Sequence, residues 1–87
     1  MSSAKDQFDC LVVTPDKVLY EDVAVRLSVP TVYGEVLILP YHTPIYMKLT
    51  EGQVSVNDGR EEHKFKIEGG ILRFRDNHAT VIVGFEV

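Results

Sequence analysis

Tryptophan is absent and cysteine occurs once, at Cys10. A single thiol excludes an intrachain disulfide framework and any metal site built on paired cysteines. Because Cys10 sits in an apolar run, it reads as a buried, inert thiol rather than a nucleophile. Long hydrophobic runs are missing too. No stretch approaches the roughly 18 apolar residues of a membrane span, and the leading MSSAKDQF has no apolar signal core. Membrane contact is therefore expected only indirectly, through docking on a complex. Nor is there a basic excess: thirteen acids against nine bases give a formal charge of −4, which disfavours nucleic acid as a partner. Finally, no segment carries a helical period of any length.

What is present points to strands. At 87 residues and 45% hydrophobic content, the chain supports one core in one domain, expected over residues 8–87 behind a loose polar lead-in at 1–7. With only four Phe and four Tyr, that core should be mostly Val, Leu and Ile, types that favour pleated sheet. Phe8 to Val13 is apolar apart from Asp9, and Thr14-Pro15-Asp16-Lys17 is a turn cluster. Val18 to Tyr20 is a short strand. Val23, Val25, Leu27 and Val29 alternate with Ala24, Arg26 and Ser28, predicting one half-buried strand with Val25 in the core. Val36 to Leu39, Ile45 to Leu49 and Gln53 to Asn57 follow. Asn57-Asp58-Gly59 and Gly69-Gly70 read as tight reversals, and Thr80 to Phe85 as the last strand. About nine to ten short strands with turn signals every 8–12 residues predict an all-β fold, an antiparallel β-sandwich or flattened barrel.

Two prolines within five positions make Pro40-Tyr41-His42-Thr43-Pro44 a rigid corner, since proline fixes φ and holds its predecessor extended. Rigid corners at a sheet end suit recognition. Chemistry is harder to find. His42, His63 and His78 show no triad order, paired-carboxylate geometry or metal-ligand spacing, so no catalytic, cofactor-binding or metal residues are expected. His63 reads as a partly covered sheet residue. If Gly69-Gly70 closes a hairpin, Lys64, Lys66, Arg73 and Arg75 fall on neighbouring strands, as a solvated face or a docking patch. Ile45-Tyr46-Met47 is apolar on both strand faces. With Leu11-Val12-Val13 and Val81-Ile82-Val83, it asks for more cover than so small a sandwich gives itself, which suits an interaction module.

The order of these motifs resembles the N-terminal β-sandwich of the F-type ATP synthase epsilon subunit, called delta in mitochondria. The matching elements are Leu11-Val12-Val13-Thr14-Pro15, Val18-Leu19-Tyr20 and the valine strand from Val23. The most specific stretch has Gly34, Glu35, Ile38, Pro40, His42 and Pro44 at the family's spacing, then Gly52. Gly69-Gly70-Ile71-Leu72-Arg73-Phe74 and Thr80-Val81-Ile82-Val83 complete it. The chain departs from the pattern at Leu37 and Tyr41, where the family has glycine. Should the second position require positive φ, tyrosine there costs on the order of 1 kcal/mol or forces a different corner.

The resemblance implies a non-catalytic central-stalk rotor subunit that binds the gamma subunit and the polar loops of the c-ring. Such a subunit couples ion translocation, H⁺ or Na⁺, to ATP synthesis. It implies a peripheral place on the cytoplasmic face of a bacterial inner membrane, reached through the synthase. Tyr33, Glu35 and His42 would contact the c-ring; Ile45, Tyr46 and Met47 are the candidates for gamma, from their apolar pattern. The family continues into two antiparallel helices that inhibit and sense nucleotide, so this chain, if complete, is expected to do neither; it is either naturally short or a trimmed piece. The alternative is a free-standing β-sandwich adaptor serving other partners.

Overall fold

The computed structural model describes residues 6–84. They form nine strands: β1 (Phe8–Val13), β2 (Val18–Ala24), β3 (Arg26–Thr31), β4 (Gly34–Ile38), β5 (Ile45–Leu49), β6 (Gly52–Asn57), β7 (Glu62–Ile67), β8 (Gly70–Arg75) and β9 (His78–Val83). One sheet has the order β2-β1-β9-β8-β5 and the other β4-β3-β6-β7. Alternate residues of each meet between the layers. Phe8, Val12, Leu72, Phe74 and Val81 from the first sheet face Leu27, Val29, Ile38, Val54 and Val56 from the second, all at most 2% exposed. Phe8 and Phe74 meet edge to face, with ring centroids 5.5 Å apart, the arrangement that aromatic quadrupoles prefer.

The expected sandwich is present, with one departure from antiparallel pairing: β1 and β9 run parallel, Asp9 beside His78 and Val13 beside Ile82. No hairpin joins these two strands, so no turn imposes their direction, and a period-two pattern carries no information about it. Cys10, on the inner face of β1, is buried as expected, and burial pushes its thiol up to about 12.

The valine strand divides. Ala24 is the buried end of β2 in the first sheet and Leu27 the first buried residue of β3 in the second. Val25 lies between them, half-buried, its N–H donating to the Asn57 carbonyl at 2.8 Å. A chain that switches sheets must reset which parity faces inward, and one residue at the bend does so. Val25 is therefore a corner rather than a core residue. The short strand expected at Val18 to Tyr20 runs on to Ala24 for the same reason.

Gly69-Gly70 closes no hairpin either. β7 belongs to the second sheet and β8 to the first, so the pair carries the chain across the sandwich. Gly70 is needed because a Cβ there would collide with the Ile82 carbonyl on β9. Consequently Lys64 and Lys66 face solvent from one sheet, and Arg73 and Arg75 from the other, so they form no common patch.

The β6–β7 reversal is a capped loop rather than a primed turn. Asn57 Oδ1 accepts the Gly59 N–H, and Asp58 Oδ1 accepts those of Arg60 and Glu61, all at 2.8–2.9 Å. The primed geometry occurs instead between β8 and β9, where Asp76 and Asn77 take φ of 52° and 58°. The last strand spans His78–Val83. Phe85 and the first five residues of the lead-in lie outside the described residues.

Candidate functional site

Titratable groups gather first at the β6–β7 loop. His63 Nε2 lies 2.9 Å from Asp58 Oδ2, and its ring tilts against Tyr20 at 5.0 Å between centroids. The bonds from Glu61, His63 and Arg60 hold the Asp58 carboxyl well below the usual carboxylate range. Burial first, then the charges of Asp22 and Asp58, push the Tyr20 hydroxyl up to about 12. That hydroxyl donates to the Val23 carbonyl at 2.6 Å. Asp58, Glu61 and His63 offer ligand atoms within 4.8 Å of one another. Asp58 spends Oδ1 on the loop amides of Arg60 and Glu61 and Oδ2 on His63 of β7, so the cluster caps the hairpin.

β4 is a different kind of place. Among the described residues it is an edge of its sheet, paired only with β3. Seven large apolar or aromatic side chains are exposed among the described residues, and five of them, Val32, Tyr33, Leu37, Leu39 and Tyr41, fall on β4 and the turns at its ends. Tyr33 is 95% exposed at the β3–β4 hairpin. Glu35 follows on the outer face, where Ser28 Oγ donates to its Oε2 at 2.5 Å. Leu37 occupies a regular strand position beyond it, half exposed.

The rigid corner comes next, and it answers the question posed by its missing glycine. Tyr41 adopts φ 64°, the left-handed conformation that costs a side-chain-bearing residue about 1–2 kcal/mol. Asn77 holds it there: Oδ1 accepts the Tyr41 N–H at 2.8 Å, while Nδ2 donates to the Gln7 carbonyl at 2.9 Å. One amide thus ties the corner to the β8–β9 turn and to the start of β1. His42 is half-buried, its ring edge-on to Phe74 at 6.0 Å and its Nδ1 2.6 Å from the Thr43 carbonyl.

The three residues assigned to the c-ring therefore do not converge. Tyr33 and Glu35 lie towards one end of β4, and His42 lies beyond the other. Of the three assigned to gamma, only Tyr46, 69% exposed, faces out; Ile45 and Met47 pack against the core. The doubly apolar segments do leave an outward apolar row on the five-stranded sheet, with Ile82 beside Ile71 on one flank and Val13 on the other. Sequence reasoning missed Leu37, Leu39 and Tyr41. The signal was there, since Val36 to Leu39 is unbroken apolar sequence on an alternating strand, and half of it had to point outward.

A two-sheet sandwich whose exposed large apolar side chains gather mostly along one edge has the form of a protein-docking module. The family model for the ATP synthase Delta/Epsilon chain beta-sandwich domain matches residues 7–85, and the chain belongs to that family. It is 39% identical over 72 residues to the ATP synthase epsilon chain of Pediococcus pentosaceus, covering 82% of this chain and 52% of that protein. With the epsilon chain of Lactobacillus delbrueckii subsp. bulgaricus it shares 35% over 86 residues, covering 94% and 59%. The chain thus spans about half the length of the curated relatives it matches. Its fold is similar to a chain in the Euglena gracilis mitochondrial ATP synthase (OSCP/F1/c-ring), with TM-score 0.85 and 18% identity over 99% of this chain and 56% of that one. A chain in the Tetrahymena thermophila central stalk and c-ring gives TM-score 0.76 at 18% identity, covering 95% and 67%.

Proposed function

We propose that this sandwich is a non-catalytic part of the rotor of an F-type ATP synthase. There it joins the gamma subunit to the c-ring and helps couple ion flow to ATP synthesis from the cytoplasmic face of a bacterial membrane. The observation that carries the reading is mechanical. The exposed edge is backed by a closed apolar core and ends in a corner locked by Pro40, Pro44 and the Asn77 tether, a surface stiff enough to transmit torque. Close-packed interiors resist compression and pass strain on.

Contact with the c-ring is made by side chains at the two ends of β4, Tyr33 and Glu35 at one end and His42 beyond the other. The Glu35 oxygen that Ser28 does not bind is free to meet an arginine, a pair worth roughly 0.2–1 kcal/mol when exposed. Gamma is offered Tyr46 from β5 and the middle of the β4 edge around Leu37, both exposed.

Reconstitution tests this. The chain co-expressed with gamma is expected to form a one-to-one complex. Glu35→Lys together with His42→Glu should weaken attachment to the c-ring and lower coupled ATP synthesis, with the melting temperature nearly unchanged. Full-rate synthesis by the double variant would remove the contact assignment, and failure to bind gamma would favour a free-standing adaptor.

A further inference from the structure

We infer that β4 docks its partner by accepting an added strand, so that an extended, uncharged segment of another polypeptide continues the four-stranded sheet.

Backbone direction supports this. Pro30, opposite Glu35, has no N–H, and its carbonyl accepts from Thr50 N–H at 3.1 Å, on the side away from β4. Pro30 and Glu35 are therefore a non-hydrogen-bonded pair, and so are Ser28 and Leu37 two residues along. It follows that the N–H and C=O of Glu35 and Leu37 point away from β3, into the open edge.

Charge separates this edge from the other three. β7 displays Glu62, Lys64 and Lys66, β2 displays Glu21 and Asp22, and β5 displays Lys48, all exposed. Charged side chains, lysine above all, keep sheet edges from pairing with other strands. β4 carries no lysine or arginine, and its one carboxylate, Glu35, has one oxygen held by Ser28. An edge with open backbone groups, apolar neighbours and no gatekeeping base fits an extended segment that is itself uncharged, with apolar side chains to lie beside Leu37 and Leu39. Main-chain bonds then supply affinity and the alternating side chains supply choice of partner.

The proposed function enters only in choosing gamma as the probe. Amide hydrogen exchange is measured on the chain alone and mixed with gamma. The expected result is a one-to-one complex in which the Glu35 and Leu37 amides slow by roughly tenfold or more, as ladder bonds should make them. Leu37→Pro removes only an outward N–H, which an edge strand tolerates, and should weaken the complex with little change in melting temperature. Leu37→Lys should do the same, and decides the matter if the proline variant does not fold. A complex in which both amides exchange as in the free chain overturns strand addition while leaving the rotor reading intact. Absence of a gamma complex overturns both. Protection of the same amides in the chain alone, with dimers in solution, overturns the heterologous partner in favour of a second copy.

Discussion

The four-stranded sheet ends in two edges built to opposite rules. β7 alternates Phe65 and Ile67, turned inward, with exposed Glu62, Lys64 and Lys66, and its entry loop is fastened by Asp58 and His63. β4 alternates Val36 and Ile38, turned inward, with exposed Glu35 and Leu37, between the bare Tyr33 hairpin and the strained Tyr41 corner. Both edges rest on the same core, so burial alone does not explain the difference. β7 obeys the rules of a solitary soluble edge, whereas β4, apart from Glu35, breaks them and is followed by a costly backbone conformation at Tyr41. Strain and exposed apolar surface persist where another molecule makes use of them.

The largest expected effect strikes what the two edges share. Val29, beneath β4, is fully buried, and Val29→Asp leaves an unpaired charge costing about 3–5 kcal/mol against a net stability of order 5–10 kcal/mol. Circular-dichroism melting should show a midpoint lowered by tens of degrees, or no cooperative transition. Val25→Asp, at the solvent-reaching corner, should melt far higher than Val29→Asp. Equal loss from the two would restore the single valine strand that the sequence pattern suggested.

Tyr41→Gly sharpens the β4 side. It releases about 1–2 kcal/mol of left-handed strain against roughly 0.5–1 kcal/mol of added backbone entropy, so the midpoint should rise by a few degrees. Tyr41→Ala keeps the strained φ and should give no rise. A fall with glycine would show that the ring anchors the corner.

The smallest effect belongs to β7. The Asp58 carboxyl is held below its ordinary 3.8 by its loop bonds, so its contribution is present above about pH 4 and fades as pH falls through the depressed value. Asp58→Asn should therefore melt lower than the parent at pH 7, and the gap should close on acidification. A gap that stayed constant down to pH 2 would mean that the charge does not matter.

Much of this architecture was legible in the residues. Alternation located the strands, and the turn clusters at Thr14-Pro15-Asp16-Lys17 and Asn57-Asp58-Gly59 marked reversals. Sheet membership was not legible. A period of two states that one face is buried, without saying against which layer, so the crossings at Val25 and Gly69-Gly70 read as a continuous strand and as a hairpin. The parallel β1–β9 pair was hidden because it joins the two ends of the chain.

The site was half visible. Glu35 and His42 stood out through the family pattern, yet their separation along β4 depends on strand direction. The outward turn of Leu37 and Leu39 needed a register. Tyr41 was marked as an anomaly in the pattern, and the Asn77 amide that holds it lies 36 residues away, beyond the reach of local reasoning.

The two edges can be set against each other in one titration of gamma, with dissociation constants measured for Leu37→Lys on β4 and for Lys64→Val with Lys66→Val on β7. At least about a tenfold loss, 1.4 kcal/mol, is expected from the single lysine on β4 and no more than about twofold from the pair on β7. Equal losses, or a larger one from β7, would contradict docking at β4.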